Sequence, residues 1–279
     1  MNSTQDPTTI STTSWEIPAY EKVVFKPRKS VYCVVIPVIN EGDRIKSLLK
    51  KMRDLKISYL VDIVIVDGGS VDDSLRPELL KAHNVSALLV KSGPGRLSSQ
   101  LRCAYSFALL AGYEGIITID GNDKDDPKDI PHFISALEKG MDFVQGSRFI
   151  EGGTSQNTPL VRSLAIKLIH APMLWAASGF RWTDTTQGFR GYSRKLLCDK
   201  YVSPFRDIFS DYELLFYLSY IAPRLNYSCC ELPTSRIYPK GKVPTKITGL
   251  RANYSLLVTL GRVCVGDFNV KESNLNEIQ

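Results

Sequence analysis

Residues 116–127 read Ile-Ile-Thr-Ile-Asp-Gly-Asn-Asp-Lys-Asp-Asp-Pro, an apolar run that ends in four aspartates and an asparagine. A strand that delivers carboxylates to the edge of a sheet suits a hard divalent cation, Mg2+ or Mn2+, which binds through oxygen and can neutralise a diphosphate. Asp126 stands directly before Pro127 and reads as a helix N-cap with proline at the first helical position. Asp120 sits at the strand end itself and has no such local role. A second apolar run ends in Asp67-Gly68-Gly69-Ser70. There an aspartate can accept hydrogen bonds from a base or ribose, and the glycines allow backbone to approach a ligand closely. Asp184, Asp211 and Glu213 are candidate proton acceptors, each with an N-cap or ion pair as its structural alternative. Arg236, Lys240, Lys242 and Lys246, interrupted by Pro239, Gly241 and Pro244, read either as a lid over a phosphate or as a solvated basic loop. The three histidines are scattered, and each reads as a surface or core residue.

These residues need a scaffold, and the sequence supplies a repeating one. Short β-branched runs at 31–36, 61–66, 86–90 and 115–119 alternate with helical patterns, which is the signature of a parallel sheet flanked by helices. Ile45, Leu48, Leu49 and Met52 follow helical spacing after Asn40-Glu41-Gly42, and further helices are expected at 97–110 and 127–139. The carboxyl ends of such strands form the ligand crevice. Beyond Gly140 the pattern loosens into a strand at 142–147 and helices at 160–177 and 211–221. Residues 245–265 form an amphipathic segment that rests on the core or on a membrane. The expected organisation is a flexible tail over 1–30, one domain over 31–265 and a C-terminal tail over 266–279. Within the domain, 31–140 is the regular half and 141–265 a specialised second half.

Composition excludes several classes. The 279 residues are 43% hydrophobic and 23% charged, ordinary for a globular chain. The net charge of +6 suits anionic partners but lacks the dense basic runs of a nucleic-acid binder. The longest uncharged stretch, 168–180, falls short of the roughly 20 apolar residues of a spanning helix, so no transmembrane anchor is expected. Six cysteines without a CxxC pair point to a reduced, cytoplasmic setting.

Six motifs in order carry a resemblance to the family 2 glycosyltransferases of the GT-A fold, in the branch of dolichyl-phosphate mannose synthase. They are Ile36-Pro37-Val38-Ile39-Asn40-Glu41, Ile65-Val66-Asp67-Gly68-Gly69-Ser70, Ile119-Asp120-Gly121-Asn122, Gly146-Ser147-Arg148-Phe149, Thr185-Thr186-Gln187-Gly188-Phe189-Arg190 and Glu231-Leu232-Pro233. The resemblance implies an α/β, Rossmann-like enzyme that takes a sugar from a UDP- or GDP-sugar and inverts the anomeric carbon in a single displacement. It places Pro37, Asn40, Glu41, Asp67 and Ser70 on the nucleoside. Asp120, with Asn122 and Asp123, is placed on the metal. Arg148 and Arg162 resemble the arginines that this branch sets around an acceptor phosphate, where guanidinium matches phosphate geometry. Arg236 and Lys242, which follow Glu231-Leu232-Pro233, would cover a diphosphate or a lipid phosphate, and the resemblance makes 31–140 the nucleotide-sugar half and 141–265 the acceptor half.

Two departures matter. The second aspartate of the usual Asp-x-Asp motif is Asn122, and Lys124 stands where the branch often has glutamine. An ammonium at Lys124 can take over part of the metal's electrostatic task. The expected acceptor is a polyprenyl phosphate, reached by a peripheral protein at the cytoplasmic membrane face. A hydroxyl acceptor on a glycan, with Asp184 or Asp211 as base, is the rival. A sugar-nucleotide-binding module without catalysis is the third reading.

Overall fold

The computed structural model describes residues 12–239 and 249–271. Its strands are β1 (Tyr20–Val24), β2 (Tyr32–Val38), β3 (Asp62–Asp67), β4 (Ala87–Lys91), β5 (Gly115–Thr118), β6 (Phe143–Ser147), β7 (Thr154–Gln156), β8 (Arg190–Ser193), β9 (Cys229–Pro233) and β10 (Ser235–Ile237). The main sheet has eight strands in the order β1-β4-β3-β2-β5-β8-β6-β9, and β10 pairs with β7 in a separate ribbon. Strands β2 to β5 pair in parallel, as the alternating pattern predicts, whereas β8 runs antiparallel between β5 and β6. That inversion matters for the site. The register pairs Thr118 with Arg190, so the entry to β8 lies beside the carboxyl end of β5.

Alternation along β2 divides the core between the two faces of the sheet, because successive side chains point to opposite sides. Val34, Ile36 and Val38 meet Ile45, Leu48, Leu49 and Met52 of α1 (Asp43–Asp54). Past α2 (Pro77–Ala82), Cys33 and Val35 join Leu101, Ala104 and Tyr105 of α3 (Leu97–Leu110) on the other side. Phe133 of α4 (Ile130–Glu138) stacks on Phe189 with ring centroids 4.3 Å apart, which packs the helix against the approach to β8.

Two segments differ from the sequence reading. Residues 15–24, placed in the tail, belong to the fold. Trp15 packs on Phe205 with centroids 4.1 Å apart, and β1 pairs antiparallel with β4, covering an edge that would otherwise expose unpaired backbone groups. The tail-like composition stops at Ser14.

The apolar stretch expected as one helix is α5 (Leu160–Ala165), a π-helical turn (Ile166–His170) and α6 (Ala171–Ser178) in unbroken succession. This 19-residue run has mean hydropathy 1.3 and is long and apolar enough to cross a membrane by length and composition alone, yet only 22% of it is buried. The search for an uncharged stretch passed over it because Arg162 and Lys167 interrupt it. Past α7 (Arg194–Leu197), α8 (Glu213–Arg224) and α9 (Gly249–Cys264) pack against α6. Leu260 and Val263 of α9 are buried, while Tyr254 and Val258 face outward.

Trp15→Ala is expected to lower unfolding stability by about 2–3 kcal/mol, because it removes an aromatic anchor at the start of β1's segment. Urea denaturation checks this, and an unchanged midpoint would return the segment to the tail.

Candidate active site

The carboxyl ends of β2, β3 and β5 and the entry to β8 surround a cavity of about 700 Å³. Pro37 and Glu41 line it from the end of β2, Gly68 from β3, and Asp120, Asn122 and Lys124 from β5. Asn40, Asp67 and Ser70 shape this wall from behind. Asp67 Oδ1 accepts from the Ser70 amide and hydroxyl at 2.9 and 2.7 Å, and Ser70 Oγ accepts from the Asn40 amide at 2.9 Å. Asn40, at φ 49°, accepts from the Val71 amide.

A residue that the sequence reading did not single out completes the wall. Gln100 of α3 donates to the Val38 and Val66 carbonyls at 3.0 and 3.1 Å, tying β2 to β3 beneath Gly68. A Cβ on Gly68 would lie 2.9 Å from that amide, so glycine is required there by the close approach.

At the end of β5, Asp120 Oδ2 accepts from Arg236 Nη2 at 3.0 Å and from Asn122 Nδ2 at 3.3 Å. Arg236 also donates to Asp125, whose other oxygen accepts from Gln187 at 2.7 Å. Burial pulls the Arg236 guanidinium down, but Asp125 and Asp120 outweigh it and hold the group well above its ordinary value. Asp120 Oδ1 lies against Gly188, where a Cβ would come within 2.3 Å.

Asp123, expected on the metal, is held at φ 57° and pairs with Lys51 at 2.8 Å. As donors for a divalent cation these residues fit poorly: each carboxylate is engaged by a cation or an amide, and no group of three acidic, histidine or cysteine ligands converges among the described residues.

The second half of the chain is held by buried ion pairs and hydrogen bonds. Arg148 and Asp184 form a two-pronged pair, 2.6 and 3.0 Å, with both side chains shut off from solvent. Neither lines the cavity, so Asp184 is not placed to take a proton there. Glu231 accepts from the Thr183 and Asp184 amides at 2.9 and 3.1 Å, which ties β9 to the same loop. Arg190, fully buried, donates to the carbonyls of Thr185, Gln187 and Leu215 and so clamps that loop to α8. Glu213 accepts from the Ser210 and Asp211 amides and serves the start of α8.

Arg162, by contrast, lines the cavity from α5, and Asp211 lines it from before α8. His170, read as an ordinary core or surface residue, also reaches the cavity from the π turn. His170 Nδ1, Thr185 Oγ1 and Asp211 Oδ1 are buried with no hydrogen-bond partner. Burial raises the Asp211 carboxyl above the ordinary carboxylate range, with Arg96 opposing. Positive charge dominates the wall between the two halves. Burial raises Tyr238, yet Arg236, Arg162 and Arg148 bring its hydroxyl below the ordinary value, and Lys124 lies 5.0 Å over its ring. Lys242 lies outside the described residues.

A mostly parallel α/β sheet with two inverted strands, β1 at the edge and β8 within it, and strand ends that hold an acidic cluster beside a cationic wall are those of a GT-A glycosyltransferase. Residues 33–199 match the sequence profile of glycosyl transferase family 2, and the chain belongs to that family. It is 28% identical to an uncharacterised protein of Methanocaldococcus jannaschii over 81% of this chain and 90% of that protein. It is 26% identical to the polyprenol monophosphomannose synthase of Mycolicibacterium smegmatis over 59% of this chain, and spans 62% of that protein's length. The fold matches glucosyl-3-phosphoglycerate synthase from Mycobacterium tuberculosis, solved with Mn2+, UDP and glucosyl-3-phosphoglycerate. That likeness has TM-score 0.59 and 16% identity, and covers 85% of this chain and 80% of that one.

Gly188→Ala is expected to push Asp120 off Arg236 and reduce nucleotide affinity at least about tenfold, or about 1.4 kcal/mol, while the far-ultraviolet dichroism stays unchanged. Calorimetric titration of UDP and GDP reads it. Unaltered affinity would show that Asp120 is not needed where it stands.

Proposed function

We propose that the enzyme transfers a sugar from a UDP- or GDP-sugar to a polyprenyl-phosphate-type acceptor at the cytoplasmic face of a membrane. The observation that carries this reading is the placement of Arg162. It reaches the cavity from a helix whose other sides expose Leu160, Val161, Leu164 and Leu168, so a phosphate-binding cation and an apolar surface share one element. A lipid phosphate needs both. Its headgroup must meet fixed positive charge, and its chain must lie along apolar surface. Lys167, on the same run, suits an anionic leaflet. The relative from Mycolicibacterium smegmatis, named a polyprenol monophosphomannose synthase, agrees with this acceptor class.

On this reading the strand-end wall of Pro37, Glu41 and Gly68 receives the nucleoside. Asp67, Ser70 and Asn40 keep that wall rigid. The acceptor phosphate oxygen forms the new bond to the anomeric carbon as the carbon–oxygen bond of the donor breaks, and its electron pair leaves on the nucleoside diphosphate. The acceptor is already an anion, so no proton has to be removed. Positioning and charge neutralisation carry the rate.

One observation favours a second reading. Asp211 lines the cavity and one of its carboxylate oxygens has no hydrogen-bond partner, which suits a base for a hydroxyl acceptor. The two readings separate by measurement.

Nucleoside-diphosphate release is measured over a panel of UDP- and GDP-sugars with and without a short polyprenyl phosphate. The expected result is release that requires the lipid and falls about 100-fold in kcat/KM, or about 2.7 kcal/mol, in Arg162→Gln. Lipid-independent turnover that is lost in Asp211→Asn, and that falls as pH drops through a carboxyl pKa above the usual range, would give the hydroxyl reading instead. In flotation with anionic phospholipid vesicles, Leu164→Glu with Leu168→Glu is expected to abolish binding by the full chain. Equal flotation would remove the membrane face from this helix.

A further inference from the structure

We propose that the Arg236 guanidinium, with Lys124 beside it, is the resident cation that neutralises the donor's diphosphate in this enzyme, in the role a divalent metal otherwise fills. The inference rests on the reading of the cavity as a sugar-nucleotide site. It starts from the charge pattern of the strand-end motif. Asn122 in place of aspartate removes one negative charge, and Lys124 in place of glutamine adds one positive charge. Together the two departures from the family pattern shift the site by two positive charges, the charge of a divalent cation. With these residues the cluster is close to neutral, since Arg236 and Lys124 balance Asp120 and Asp125, so it attracts a divalent cation less than a pair of aspartates would.

The geometry places Arg236 where that cation belongs. Its two terminal nitrogens bridge Asp120 and Asp125, and it lines the cavity with Lys124 and Arg162. It is not a surface side chain that happens to fold inwards. Arg236 lies on β10, which pairs with β7, and the backbone on either side is stitched to the acidic loop. Ile237 N donates to the Lys124 carbonyl at 2.8 Å and Asp126 N to the Ser235 carbonyl at 3.2 Å.

A guanidinium carries five N–H donors and keeps its charge at any physiological pH, so Arg236 can hold Asp120 and Asp125 and still turn a donor to a phosphate oxygen. When the donor's carbon–oxygen bond breaks, the departing electron pair on the diphosphate meets a charge already fixed in place.

The test uses the full wild-type chain. UDP and GDP are titrated calorimetrically in EDTA and in excess Mn2+, and free Mn2+ is followed by electron paramagnetic resonance. The expected result is affinity for the nucleotide that binds equal within about twofold in the two buffers, with the free Mn2+ signal no lower in protein plus nucleotide than in nucleotide alone. Affinity higher in Mn2+ by clearly more than about twofold, or loss of free signal stoichiometric with protein beyond that caused by nucleotide alone, overturns the proposal and leaves the donor reading intact. Failure of both nucleotides to bind in both buffers overturns the donor reading and this assignment with it.

Arg236→Gln is expected to lose at least about tenfold in nucleotide affinity in EDTA and to recover part of it in Mn2+, while Arg236→Lys keeps most of it. Unchanged affinity in Arg236→Gln counts against the proposal. Should that variant fail to fold, Lys124→Gln is read the same way.

Discussion

The buried pairing of Arg236 with Asp120 and Asp125 is the interaction on which the two halves of the molecule depend. Taking a guanidinium and two carboxylates out of water is expensive, and the arrangement holds because each charge finds its opposite at hydrogen-bond distance. Removing one partner would leave the others buried without compensation. The three residues come from the end of β5, from the loop after it and from β10, so the pairing also fixes where the acceptor half sits relative to the strand ends. Gln187 extends the same chain of contacts, bridging Asp125 to Thr234 and bringing the residues before β8 up to the acidic loop.

Other buried polar groups serve the same end by different means. Arg190 makes no contact with an acidic side chain. Its donors go to the carbonyls of Thr185, Gln187 and Leu215, so the guanidinium is satisfied although wholly buried. Arg148 meets Asp184 in the interior, and Glu231 holds the backbone on which Asp184 stands. These residues look like a reactive set in one dimension and act as a frame in three. Among the described residues, His170, Thr185 and Asp211 line the cavity and each has a buried polar atom with no protein partner, which is costly unless something else supplies one.

The α5–α6 run shows how function can sit across a boundary between solvent and core. Its buried side packs on α8 and α9, its start carries Arg162 to the cavity, and its remaining surface is apolar and open. The π turn within it brings His170 inwards. Such single-turn widenings recur at functional sites because they shift the register of the side chains that follow.

Local patterns were enough to read the parallel half of the sheet, α1, α3, α4 and the strand-end motifs around Asp67 and Asp120, because strand alternation and helical spacing are properties of neighbours in the chain. Motif order was enough to indicate the family, and residues 33–199 match it. What the sequence could not show were relations between distant segments. No local signal marks Gln100 as the tie between β2 and β3, Trp15 as the anchor of the first strand, or His170 as a cavity residue. Lys51 was invisible as the partner of Asp123, and Arg148 could not be told from Arg162. Those distinctions depend on which side chain is desolvated and what lies across from it. Charge type and spacing were written in the sequence; which charges are spent on each other, and which remain for a substrate, was decided by packing.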